Sequence, residues 1–178
     1  MDLRTERTKK SIIDAFIELR AQKPLEKITV KELAELAYIN KATFYSHYHD
    51  IYDLSEQIEN ELISSVLKNI PHPDHLISEP RRAVYELTDA LISKSTLFHT
   101  IFSGSRAGLF AKKLEYELKK QIYSAHPEFE NSLTADVLLS VLIQGCFYAF
   151  LSHSDNVGDD VTEILADINQ CLKERFFP

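Results

Sequence analysis

Glycine and proline are scarce, four and six in 178 residues, and tryptophan is absent. A chain this poor in turn formers has few tight turns, which disfavours barrels and sandwiches and favours long helices on short links. The expected fold class is therefore all-α, with about nine helices by apolar periodicity. The two cysteines, Cys146 and Cys171, lie in apolar-periodic segments without CxxC spacing. Neither a disulfide framework nor a zinc site is expected from them. Few glycines also leave little for phosphate-cradling loops, and the GxSxG, GxxxxGKS/T and HExxH patterns are all missing. The expectation is no enzyme, no catalytic residue, no metal and no cofactor. The first ten residues, MDLRTERTKK, lack the apolar segment of a secretory leader. The longest apolar stretch, 137–151, is interrupted by Ser140, Gln144 and Gly145, so it reads as a buried helix and not as a span. A reducing cytoplasm without membrane contact is the location expected.

What is present is ordinary for a folded chain, 44% hydrophobic and 26% charged. The net charge of −7 is unevenly spread. Residues 1–50 hold nine Lys/Arg against eight Asp/Glu, whereas residues 51–178 hold eleven against nineteen. The balance argues against indiscriminate coating of nucleic acid by bulk attraction, and the acid lies in the second part.

In that part, Ile12, Ala15, Phe16 and Leu19 recur at helical spacing behind Arg4, Arg7, Lys9 and Lys10. Basic residues at the start of a helix oppose its dipole, so phosphate contact is the favoured reason for them. Pro24 ends this helix. Thr29 with Glu32 three residues on forms a capping-box pattern for a second helix, whose stripe is Val30, Leu33, Ala34 and Ala37. Asn40 then suits the N-cap of a short third helix. Helix, turn and capped short helix is the helix-turn-helix order, which presents its second helix to a major groove. Phe44 and Tyr48, four apart, share the inward face. Lys41, Ala42, Thr43, Tyr45, Ser46 and His47 are left as an outward set suited to phosphates, base edges and thymine methyls. Thr29 and Lys10 complete the candidate DNA-binding residues. His47 and His49 diverge by about 200° on a helix and cannot share an ion.

The basic first helix, the TVKELAELA segment, and Thr43-Phe44-Tyr45-x-His47-Tyr48 followed by Asp50-x-x-Asp53-Leu54 together resemble the DNA-binding domain of the TetR/AcrR family of bacterial transcriptional regulators. The resemblance covers the first third of the chain. It implies that Thr43 and its neighbours reach into the major groove, that Tyr45 and His47 meet phosphates, and that Phe44 and Tyr48 are core. It further implies a homodimer on a palindromic double-stranded operator, a repressor's role, and a variable helical domain that binds an effector. The chain departs from the family pattern at Tyr38-Ile39-Asn40, where a Gly-Val-Ser-like turn is common, and at Ile51, where a phosphate-touching lysine is common.

The expected organisation is thus a DNA-binding domain over 1–50 and a larger helical effector-binding and dimerisation domain over 51–178. Its helices are expected over 51–69, 80–95, 97–103, 105–124, 132–152 and 158–176, with 71–79 a solvated, proline-rich connector. The helix over 132–152 is apolar nearly all round, which calls for burial on more than one side, and a two-fold partner would cover it together with the last helix. Tyr85, Phe98, Phe102, Phe110, Tyr116, Phe147 and Tyr148 are candidates to line an effector cavity, with Gln144 or His99 as polar handles; core packing is the competing reading. A protein partner docking on this acidic part is the alternative to a small effector. Cys146 has no cation beside it in sequence and reads as core.

Overall fold

In a computed structural model, which describes residues 3–102, 107–153 and 159–176, the described residues form ten α-helices and no strand. They are α1 Leu3–Gln22, α2 Val30–Leu36, α3 Lys41–Tyr45, α4 Ile51–Leu67, α5 His75–Ser78, α6 Pro80–Ile92, α7 Ser95–Ile101, α8 Ala107–Ala125, α9 Leu133–Ser152 and α10 Asp159–Phe176. The all-α expectation holds. The helix not foreseen is α5, a single turn inside the supposed solvated connector, where His75, Leu76 and Ile77 are buried. Flanking prolines suggested a loop, but the apolar Leu76–Ile77 pair draws the segment into the core, and His75 Nδ1 comes within 3.4 Å of the Glu86 carboxylate.

Contacts divide the chain into two compact units. One holds α1, α2, α3, α4 as far as Leu62, and α7 from Thr96; the other holds the remainder of α4, then α5, α6, α8, α9 and α10. The first unit is built on the α1 stripe, where Ile12 and Phe16 are fully buried. Leu33 and Ala34 of α2, Phe44 of α3, Leu54 and Ile58 of α4 and Phe98 and Ile101 of α7 are buried in it too. Each of the leucine, isoleucine and phenylalanine side chains among them contributes roughly 1.5–3 kcal/mol by leaving water. The same core holds Arg20, only 6% exposed, which donates to Lys23 O at 3.0 Å and to Ile101 O at 3.1 Å. A buried guanidinium spent on carbonyls thus ties the end of α7 to α1.

In the second unit α6 packs on α10, where Arg81 bonds Glu163 and Asp167 and the Tyr85 hydroxyl bonds Glu163. Helices α8 and α9 are joined by a polar network around Lys119. Its ammonium lies 2.8 Å from Glu115, 2.7 Å from Asp136 and 2.7 Å from Ser140 Oγ. Burial alone would push the Glu115 carboxyl up, but hydrogen bonds from Lys119, Ser140 and Gln144 outweigh it and hold it below its usual range. The bond from Lys119 also holds Asp136 low.

Carboxyls depressed in the folded state add stability that is present above their unfolded values and is lost as pH falls through their folded ones. Lys119→Met is expected to cost about 2 kcal/mol near neutrality, by leaving two carboxylates without their cation. It should also flatten the loss of stability between about pH 5 and pH 2 in thermal unfolding. An acid loss as steep as the wild type's would show that other carboxyls govern it.

By length and composition α9 passes for a membrane span, with a mean hydropathy of 1.6, which corrects the expectation that no segment would. Its interruptions serve protein contacts: Ser140 and Gln144 donate to Glu115 on α8. Its inner side, including Leu139, Leu142, Ile143, Cys146 and Phe147, is buried. The Cys146 thiol accepts from Asn169 at 3.2 Å, and burial pushes its pKa up. The outer side keeps Leu133, Val137, Val141 and Tyr148 exposed, and α10 likewise exposes Ile164, Ile168 and Phe176. Between the two helices lies an apolar cleft of about 400 Å³, lined by Leu133, Val137, Val141, Leu172 and Phe176 among others.

Candidate nucleic-acid interface

The interface is assembled by three successive caps. Thr29 opens α2 by accepting the Glu32 N–H at 3.3 Å. The returning arm of the expected capping box is not made, because Lys23 holds both Glu32 oxygens at 2.5 Å. Helix α2 then ends in a Schellman motif: Ile39 N–H bonds Ala34 O at 2.9 Å and Tyr38 N–H bonds Glu35 O at 3.3 Å. That motif puts one residue in the left-handed region, and here it is Tyr38, with φ of 55°. Glycine is the usual occupant, since a Cβ is strained there. Tyr38 is 96% exposed, so no burial offsets the strain. Tyr38→Gly is expected to stabilise the protein by about 0.5–1 kcal/mol. A fall in melting temperature would reveal a contact made by the tyrosine ring.

The second cap begins α3. Asn40 Oδ1 accepts the Thr43 N–H at 2.8 Å and the Thr43 hydroxyl at 3.0 Å. Helix α3 is only five residues long, but the Tyr48 N–H still bonds Phe44 O at 3.0 Å, which carries the coil to Tyr48. Phe44 is fully buried, Tyr48 is 4% exposed, and their rings lie 5.7 Å apart. Burial raises the Tyr48 pKa. The third cap opens α4 reciprocally. Asp50 Oδ1 accepts from the Tyr52 and Asp53 N–H groups, each at 2.8 Å, while Asp53 Oδ2 accepts the His49 N–H at 2.8 Å. Hydrogen bonds from Gln57 and from the His49 amide hold the Asp53 carboxyl below its usual range. The Asp50-x-x-Asp53 spacing is therefore a capping device that fixes where α4 starts.

Anchored on both sides, the segment turns Lys41, Ala42, Tyr45 and Ser46 outward, with Thr43 and His47 half-buried. Tyr45 is 56% exposed and leans edge-on against Phe44. The hydroxyl protons of Thr43 and Ser46 are already donated, to Asn40 Oδ1 and to Thr43 O, so toward a ligand both offer lone pairs. Lys41 makes no ion pair among the described residues. Thr29 is exposed at the start of α2. Lys10 stands apart on α1, its charge partnered by Asp14 at 2.9 Å. Ile51 is 6% exposed and belongs to the core, so it takes no part in this surface.

The residues proposed for an effector cavity are dispersed. Phe98 and Phe102 are core of the first unit, with His99 exposed beside them. Phe110 and Phe147 pack at 4.9 Å in the core of the second. Gln144 is engaged by Glu115, Tyr85 by Glu163, and Tyr148 is 44% exposed with its hydroxyl near Gly108. Tyr116 is 65% exposed on the outward side of α8, between the buried Leu114 and Leu118, and so faces solvent. Among the described residues no group of three or more His, Cys, Asp or Glu is placed to hold a metal ion. Compared with known proteins, the chain matches no family model, and no curated protein is significantly similar to it.

Proposed function

We propose that the protein is a sequence-specific DNA-binding transcriptional regulator of the TetR/AcrR kind, a repressor that binds a palindromic operator as a homodimer in the cytoplasm. The observation that carries this reading is the double anchoring of α3: Phe44 and Tyr48 are buried while Lys41, Ala42, Tyr45 and Ser46 stand out from the surface between two capped helices. A short rod held this way fits a major groove, and its residue types suit phosphates and base edges. In a homodimer the two rods would lie about 34–36 Å apart, one duplex turn. The apolar outer faces of α9 and α10 support the second copy, since a face shared by two helices can close on itself about a two-fold axis. An effector in the second unit would act only through a difference in affinity between two arrangements of the dimer.

The test is enrichment of bound duplexes from a random pool. A palindrome is expected, and Lys41→Met should weaken binding to all sequences alike and lower the salt dependence by about one counterion per site. A pool that converges on no palindrome would refute sequence-specific binding.

A protein partner in place of a small effector is the second reading. Lys112, Tyr116 and Lys120, exposed at spacings of four along α8, favour it, since they give this acidic part a cationic, aromatic stripe. Native mass spectrometry of protein isolated from cells separates the two: a small bound mass supports the effector, a stoichiometric second chain the partner.

A further inference from the structure

We infer that Asn40 is a specificity-determining residue of this interface, one that presents only hydrogen-bond donors to DNA and therefore selects guanine at one position of each half-site. The inference rests on the DNA-binding reading. The Asn40 atom that meets the Thr43 amide must be oxygen, because a backbone N–H can only donate. That oxygen also receives the Thr43 hydroxyl, so both its lone pairs are taken. The amide is thereby locked, with Nδ2 turned to the opposite side. Asn40 is exposed, and no described residue accepts from its Nδ2.

In a helix-turn-helix complex the first residues of the second helix are those that meet base edges. Asparagine ordinarily reads adenine with both ends of its amide, the oxygen accepting from N6 and the nitrogen donating to N7. Here that pairing would require breaking the cap that starts α3. With donors alone the best edge is guanine, which offers N7 and O6 as adjacent acceptors. Thymine offers one acceptor, adenine sets a donor beside its acceptor, and cytosine offers only a donor. In sequence Asn40 reads as a cap, because the cap explains the residue type fully. Only the direction in which the spare amide protons point adds the second role.

Asn40→Ser and Asn40→Asp separate the two roles, since both keep a capping oxygen and hence the helix. The measurement is selection from a random duplex pool with wild type, both variants and Lys41→Met, alongside melting temperatures and titration of the wild-type site. Expected are a guanine fixed in each wild-type half-site, an unchanged melting temperature in Asn40→Ser with about tenfold weaker binding to that site, and relaxed preference at that one base pair. Asn40→Asp, which turns an acceptor outward, should shift the same position toward cytosine. The inference is overturned if wild type and Asn40→Ser select and bind the same sequence equally, if the position selected through Asn40 is adenine, or if Lys41→Met alone relaxes the guanine. A wild type that selects a palindrome in any of these cases leaves the DNA-binding reading standing, whereas one that selects none defeats that reading first and this inference with it.

Discussion

Replacing Phe44 with alanine is expected to destabilise the first unit by about 3–5 kcal/mol and to abolish DNA binding. The side chain is fully buried, and it touches Tyr45 edge-on at 5.5 Å and Tyr48 at 5.7 Å. A five-residue helix has almost no stability of its own, because nucleation costs more than so few hydrogen bonds return. What holds α3 is its cap at Asn40 and the two buried rings of Phe44 and Tyr48, of which Phe44 is the one within the helix. Domains of this size have only about 5–15 kcal/mol to lose, so the variant would populate the unfolded state appreciably. Phe44→Leu keeps most of the volume and should cost less than about 1.5 kcal/mol, leaving binding close to wild type. Thermal unfolding followed beside duplex titration distinguishes the cases. Wild-type affinity in a folded Phe44→Ala protein would mean that the outward surface does not depend on this anchor.

The parts of the molecule legible in the sequence are those fixed by neighbours in the chain. The α1 stripe follows from spacings of three and four, the start of α3 from Asn40, and the inward placing of Phe44 and Tyr48 from their separation by one turn. The Schellman end of α2 was hidden because its usual marker is glycine, and this chain carries the conformation on Tyr38. The half-made box at Thr29 has a related reason: Glu32 is held by the Lys23 ammonium, nine residues earlier, instead of by the amide it is spaced to reach.

Longer-range choices left no local trace at all. Nothing near Arg20 announces that its guanidinium will be spent on the carbonyl of Ile101, and nothing near Lys119 points to Asp136 and Ser140 on the next helix. The aromatic residues show the same limit, since composition cannot say on which side of a helix a ring ends up. Phe110 went to the core and Tyr116, six residues on, to the surface. The outward or inward placing of side chains on a short capped helix is thus readable, whereas that of rings scattered over four helices is not.

Gly145→Arg is expected to convert the proposed dimer to monomer without unfolding it, and to weaken the proposed operator binding at least a hundredfold, since a half-site held alone gives up the gain from linked contacts. Gly145 stands mid-helix on α9, exposed, between Val141 and Tyr148 on the outer face. Glycine there costs roughly 1 kcal/mol of helix stability relative to alanine. A Cβ built on it meets nothing within 4 Å, so the protomer's own packing does not require it. A second α9 approaching at that point would require it, because the missing side chain lets two helix backbones come close while Val137, Val141 and Tyr148 pack around the crossing. Arginine in its place should therefore raise the helix-forming tendency of the isolated protomer and yet block association by bulk and by like charge across a two-fold axis. Light scattering gives the mass and thermal unfolding the integrity of the fold. A dimer that persists with arginine at 145 would place the two-fold contact away from this face, and a variant that unfolds would show that the glycine serves the protomer after all. A folded monomer with weakened operator binding is the outcome that ties the outer faces of α9 and α10 to the spacing of the two recognition helices.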